Sequence, residues 1–238
     1  MGSACAKEKE SPLEVRDVLF KVSGLREYLQ DQRPFSSFVS EIPAEISSKK
    51  KLPHLSLPEI KVPDYFYSDF TLPIALYSDN SYYRGHLDGK SRENFGEQVC
   101  KDGSFYIGGW RANYPHGEGL VVLADGSFYQ GNFENGFIKG KGRGYDKNSE
   151  ILYDGEWDKG LPNGEGKAIW DNFQEYRGSW HNGMKSDSGV WKNLKSGDRY
   201  EGEFFEDKFH GEGTYSERSG VIKSGLFQNG EYVQKGLV

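Results

Sequence analysis

Cysteine is scarce in this chain: Cys5 and Cys100 are the only two in 238 residues. That excludes a disulfide framework, and with no charged-then-apolar leader at the start it points to a reducing, cytoplasmic setting. No apolar run approaches the ~20 residues needed to cross a bilayer, so any membrane contact is expected to be peripheral. An excess of positive charge is missing too. The net charge of −6 divides into roughly −2 before Tyr83 and −4 from there on, which leaves no basic field for nucleic acid. Proline nearly vanishes after Tyr83, where two of the nine lie, whereas 29 of the 31 glycines and all five tryptophans fall on that side. The second part must bury or stack large rings, and the first third is built differently.

The residues of metal and catalytic chemistry do not converge either. His116 and His210 fill the same slot of two distant repeats, and His54, His86 and His181 have no ligand spacing. Gly140-Lys141-Gly142-Arg143-Gly144 lacks the Lys-Ser/Thr ending of a phosphate loop. Cys100 lies where a strand is expected, without a histidine partner, and reads as a buried or half-buried thiol rather than a nucleophile. Glu201 and Glu203 alternate onto a solvated face. No enzyme activity, cofactor or metal is expected.

What the chain does have is a period. Tyrosines recur at 83, 106, 129, 153, 176 and 200, each followed two residues later by glycine and four residues later by Leu87, Trp110, Phe133, Trp157, Trp180 or Phe204. A partial seventh copy carries Lys223 in the tyrosine slot, then Gly225 and Phe227. A Gly-x-Gly pair follows 11 and 13 residues after the tyrosine, as in Gly117/Gly119, Gly140/Gly142, Gly164/Gly166 and Gly211/Gly213. Asn94 and Asp187 replace the first glycine in two units, which predicts a different bend there. Turn chemistry separates the halves, as in Asn135-Gly136, Lys159-Gly160 and Asn182-Gly183, and recurs at the end in Asp125-Gly126 and Asp171-Asn172. Each unit reads strand, turn, strand, turn. In Tyr153-Asp154-Gly155-Glu156-Trp157 the rings and the glycine share one face and the carboxylates the other, so one face of the sheet is expected to be aromatic and one wet.

The stretch from Tyr153 to Gly166 resembles the MORN motif, Tyr-x-Gly-x-Trp-x-x-Gly-x-x-x-Gly-x-Gly, and the units at Tyr106 and Tyr200 are nearly as close. The resemblance implies an all-β fold, an elongated single-layer twisted antiparallel sheet of stacked hairpins, with the repeat domain over 83–232 and a tail over 233–238. Six units of two strands at ~4.8 Å spacing predict a ribbon on the order of 60 Å long. The family is associated with membrane-proximal and cytoskeletal assemblies and with self-association, so the resemblance also implies a scaffold or adaptor, including a homodimer. Its occurrence beside lipid kinase or methyltransferase domains is a third implication, for which the chain leaves no room.

Before the repeats, Ile74-Ala75-Leu76-Tyr77 falls in phase with Leu120-Val121-Val122-Leu123, which marks 64–82 as a degenerate capping half-repeat. Residues 34–63, with serines, prolines and Lys49-Lys50-Lys51, read as a flexible linker. Ser11-Pro12-Leu13-Glu14 is a capping box, and Val15, Val18, Leu19, Val22, Leu25 and Leu29 follow at helical spacing, which predicts an amphipathic helix over 11–33 despite Gly24. That helix either packs on the sheet or its edge, or serves a membrane surface or a partner helix. Within 1–10, Gly2 stands where N-myristoylation occurs and Cys5 within reach of palmitoylation, but Ala6 replaces the Ser or Thr of the motif. An acylated terminus and an ordinary start therefore both remain open.

The partner surface expected from this reading is the aromatic row: Tyr106, Trp110, Tyr129, Phe133, Tyr153, Trp157, Tyr176, Trp180, Tyr200 and Phe204. Most of each ring is expected to pack the sheet itself, and the remainder to line a groove for a partner's helix or peptide. An acidic phospholipid surface, reached through acylation, is the alternative partner.

Overall fold

A computed structural model of the chain describes residues 37–39, 72–78, 81–170 and 173–233. They form one antiparallel sheet of sixteen strands in which every neighbour in space is the neighbour in sequence. The strands are β1 (Ser37–Val39), β2 (Ile74–Leu76), β3 (Tyr82–Asp88), β4 (Ser91–Val99), β5 (Phe105–Arg111), β6 (Tyr114–Val122), β7 (Phe128–Glu134) and β8 (Phe137–Tyr145). The sheet continues through β9 (Ile151–Asp158), β10 (Leu161–Trp170), β11 (Gln174–His181), β12 (Met184–Asn193), β13 (Arg199–Phe205), β14 (Lys208–Ser216), β15 (Ile222–Gln228) and β16 (Glu231–Tyr232). Fifteen of them run without interruption from Ile74, and β1 adds to the first edge by pairing with β2. This short strand lies inside the segment read as linker. Residues 1–10, the helix expected over 11–33 and all but Val233 of the tail lie outside the described residues.

Hairpin turns are set by the sequence. Asn135/Gly136, Lys159/Gly160 and Asn182/Gly183 all have positive φ, as do Ala112/Asn113 and Glu206/Asp207, the backbone that a tight turn between twisted strands requires. Each turn is stitched to the unit before it, because the second turn residue donates its N–H to a backbone carbonyl there: Asn113 to Arg92, Gly136 to Pro115, Gly160 to Ile138, Gly183 to Pro162 and Asp207 to Lys185, at 2.9–3.1 Å. At the other end of the units, Asp102 and Asp125 accept from the backbone N–H and hydroxyl of Ser104 and Ser127.

The two units that lack the first paired glycine were expected to bend differently, and they do not. Asn94 and Asp187 adopt φ of 59° and 49°, beside 75°, 78° and 56° for Gly117, Gly140 and Gly211. Short polar side chains tolerate the left-handed region, so the substitution keeps the backbone. The register slip that marks the first hairpin of a unit is present in both, between Gly85 and Leu87 and between Gly178 and Trp180.

The core has two parts. One runs the length of the sheet on the tyrosine face. The other lies on the opposite face and is confined to β2–β8. There, Leu76, Tyr82, Val99, Phe105, Val122, Phe128 and Tyr145 stand opposite one another from strand to strand. In the later units that face turns polar, with Arg143 paired to Asp154 at 2.9 Å and Glu175 between Lys167 and Lys192 at 2.8 and 3.6 Å.

Candidate partner-binding face

The tyrosine face is built from glycine upward. Gly96, Gly119, Gly142, Gly166, Gly189 and Gly213 stand opposite the glycines that follow the tyrosines by two residues. A tyrosine ring lies across each pair so closely that a methyl group at Gly119 would meet the Tyr106 hydroxyl at 2.5 Å. Each hydroxyl is thereby brought to a backbone carbonyl three residues on. Tyr106 donates to Gly109 at 2.8 Å, Tyr153 to Glu156 at 2.9 Å, Tyr176 to Ser179 at 2.9 Å and Tyr200 to Glu203 at 2.9 Å.

The ring four residues after the tyrosine wedges between its own tyrosine and that of the preceding unit. From Tyr83 to Phe227 this makes an unbroken chain of edge-to-face contacts, with centroids 4.8–5.4 Å apart and planes 73–90° apart. Such pairs contribute ~0.5–1.5 kcal/mol each beyond the area they bury. Trp110, Trp157 and Trp180 also donate their indole N–H to Gly96, Gly142 and Gly166 carbonyls at 3.0–3.3 Å.

The ten residues expected to line a groove are thus brought together in a single row, and none is more than 7% exposed. A partner would meet them as a closed floor rather than as open pockets. Burial raises the pKa values of the six repeat tyrosines: Tyr106, hemmed in by Tyr83 and Tyr129, is held well above the ordinary value of 10.0, and Tyr200 is pushed up to about 12.

Two cations on this face were not anticipated. The residue nine after the tyrosine faces the wedge ring, and it is Pro115, Ile138, Pro162 or Phe209 in four units. In the units with Asn94 and Asp187 it is Arg92 or Lys185, both buried. The Arg92 guanidinium lies 4.5 Å from the Trp110 ring and donates to the Asn113 carbonyl at 2.9 Å and to the Gln98 side chain. The Lys185 ammonium lies 5.3 Å from Trp170 and 5.8 Å from Phe204. Their backbone N–H groups donate to Asn113 and Asp207 in the following turn, at 2.8 and 2.9 Å. The signal was present in the sequence: where the ninth residue is a cation, the next hairpin turn carries Asn or Asp in place of glycine.

Elsewhere the chemistry is diffuse. Cys100 is buried and unbridged, and the Gln98 amide lies 3.9 Å from its sulfur. Among the described residues no group of His, Cys, Asp and Glu could hold a metal, and no helix is long and apolar enough to cross a membrane. A shallow depression over Gly155 and Gly166 is lined by Lys141, Lys167 and Arg177 against Asp154, Glu156 and Glu165, so its charges offset one another.

Against known families, the MORN repeat pattern matches residues 106–128, 129–143, 153–174, 176–193 and 200–220. The unit at Tyr83 lies outside these matches, although it shares their glycine register and ring contacts. No curated protein matches the chain. Among solved structures, the TCP domain of SAS-4 from Drosophila melanogaster, in complex with a proline-rich motif of Ana2, superposes with a TM-score of 0.39 and 11% identity over 72% of this chain and 96% of that one. A score that low carries no functional argument.

Proposed function

Because the chain belongs to the MORN repeat family, with five repeats in residues 106–220, we propose that it is a non-enzymatic scaffold that binds a protein partner. The observation that carries this is where apolar surface remains. Of the seven large apolar residues exposed among the described ones, five gather at the C-terminal end of the sheet: Phe205, Val221, Ile222, Leu226 and Val233. Exposed apolar side chains clustered this way mark interaction surfaces. Ile222, 67% exposed, and Leu226, 41% exposed, share one face of β15, and among the described residues β16 pairs only with Phe227 and Gln228. Among the described residues the stretch Ile222–Gly225 therefore has one strand neighbour; Tyr232 donates its hydroxyl to the Ser224 carbonyl at 3.1 Å and Val233 its N–H to the Leu226 carbonyl at 2.8 Å, and the edge before them is one that an extended peptide can join, with Ile222 and Leu226 as side-chain anchors.

In this reading the ten-ring row acts as the rigid floor that holds the edge in shape. A protein at a membrane- or cytoskeleton-associated assembly, on its cytoplasmic side, is favoured over an acidic phospholipid as the partner. The second face of the later units sets its cations against carboxylates, as in Arg143–Asp154 and Lys167–Glu175, and so presents no basic field to a lipid surface.

The test compares affinity purification on the full chain with the Ile222→Asp/Leu226→Asp variant. Recovery of specific partners should fall by about tenfold or more, the equivalent of ~1.4 kcal/mol, while far-UV circular dichroism stays unchanged. Equal recovery by the folded variant excludes this edge, and sedimentation of the purified chain decides whether the partner is a second copy.

A further inference from the structure

The residue eight positions after each repeat tyrosine opens the second strand of its hairpin, next to the turn. It is Ser91 in the first unit and Lys208 in the sixth, but Tyr114, Phe137, Leu161 and Met184 in the four between. Both kinds of unit make the same turn: Glu206 and Asp207, like Asn135 and Gly136, have positive φ and are stitched to the unit before. The hairpin tip therefore folds without an apolar side chain there. We propose that Tyr114, Phe137, Leu161 and Met184 form a docking stripe for an amphipathic helix of a protein partner, separate from both the tyrosine row and the β15 edge.

All four side chains are half-buried. Each stands opposite the residue that follows the wedge ring, as Tyr114 opposite Arg111 and Met184 opposite His181, and so points away from the tyrosine row. Leu161 reaches across to the next hairpin, since a methyl group at Gly183 would meet its Cδ2 at 3.7 Å. With one anchor per unit, the stripe crosses the six strand spacings from β6 to β12, or ~29 Å, with ~10 Å between anchors.

The spacing selects the occupant. Successive same-face residues of an extended strand are ~7 Å apart and fall out of step with the anchors. The tips also offer no backbone edge, because Asn113, Gly136, Gly160 and Gly183 already donate their N–H groups to the preceding unit. A helix with one apolar residue in seven presents it every ~10.5 Å, so three heptads span ~32 Å and meet four anchors when the helix crosses the row at a slant of ~20°. The charges beside the stripe have both signs: Arg111 and Lys139 against Glu134 and Asp158, with Glu134 and Lys139 ion-paired at 2.6 Å. That mixture suits the polar flanks of an amphipathic helix and offers no basic field to an anionic lipid surface.

The test uses the full chain and two fluorescent synthetic peptides of equal composition on an alanine, lysine and glutamate background. One carries four leucines seven residues apart, and the other carries them two residues apart. Fluorescence anisotropy should show saturable binding of the first peptide only. Leu161→Asp/Met184→Asp should weaken it about tenfold or more, while Ile222→Asp/Leu226→Asp leaves it unchanged, so this stripe and the β15 edge can fail separately. A nitroxide at the centre of the first peptide should broaden the amide signals of Phe137, Leu161 and Met184 ahead of those of β15, which keeps the stripe testable if the aspartate variant loses ellipticity. No saturable binding, equal binding of both peptides, equal binding by the folded Leu161→Asp/Met184→Asp variant, loss confined to the Ile222→Asp/Leu226→Asp variant, or broadening centred elsewhere each overturns the proposal.

Discussion

Phe128 and Arg199 stand at the same position of two repeats, immediately before the tyrosine and on the same face of one sheet, and their surroundings are opposite. Phe128 has no exposed surface and stacks on Tyr145 with centroids 4.4 Å apart. The side chain of Arg199 is 41% exposed and pairs with Glu201. One residue further along, Tyr129 and Tyr200 are indistinguishable in burial, both 0% exposed. A stack of hairpins needs one face to be the same in every unit, because that face is what each unit offers to the next. The other face carries no such obligation. In the first half it is apolar and buried, and in the second half it is polar and ion-paired.

The largest test of that contrast is Phe128→Ala beside Arg199→Ala. Removing a buried phenylalanine is expected to cost ~3–5 kcal/mol, whereas the exposed arginine should cost less than ~1 kcal/mol. Urea unfolding of the full chain, followed by tryptophan fluorescence, measures both. Similar losses would mean that the second face is equally committed in both halves.

A smaller effect, and one expected to be shared, comes from Gly119→Ala and Gly213→Ala. The added methyl would meet the Tyr106 or Tyr200 hydroxyl at 2.5 or 2.3 Å, and the displaced ring should cost ~1–3 kcal/mol in either half. If Gly213→Ala proved neutral while Gly119→Ala did not, the common face would not be common.

The shared face was legible because its signal repeats. Six tyrosines in phase, with glycine two residues on and a wedge ring four residues on, fixed the strand pairing and the side on which the rings lie. The second face departs from the expected wet surface because the alternation of Tyr153–Trp157, where Asp154 and Glu156 flank the glycine, does not hold in the earlier units. The residue before each tyrosine held the correction: Tyr82, Phe105 and Phe128 precede Glu175 and Arg199. Depth of burial is harder to see, because sequence shows which way a ring points but not how far it sinks over a pair of glycines. Arg92 and Lys185 were missed for a related reason, since a cation reads as solvated until the rings around it are in place.

The finest test of the comparison is alkaline titration. A tyrosine held neutral by burial contributes stability that is present in full below its unfolded pKa of about 10 and is lost as pH rises through the folded value. Tyr200, near the open end, is pushed up to about 12, while Tyr106, deep in the first half, is held well above 10.0. Loss of structure should therefore begin at the C-terminal end as pH climbs from about 10 towards about 12. Tyr200→Phe removes that first ionisation and should shift the onset of ellipticity loss upward, although it also gives up hydrogen bonds to the Glu203 and His210 carbonyls. Tyr106→Phe should leave the onset where it is, because its phenol is not the first to ionise. Equal shifts in the two variants, read by circular dichroism and by phenolate absorbance, would show that both ends release their protons together and that the deeper burial of Tyr106 gives it no added protection.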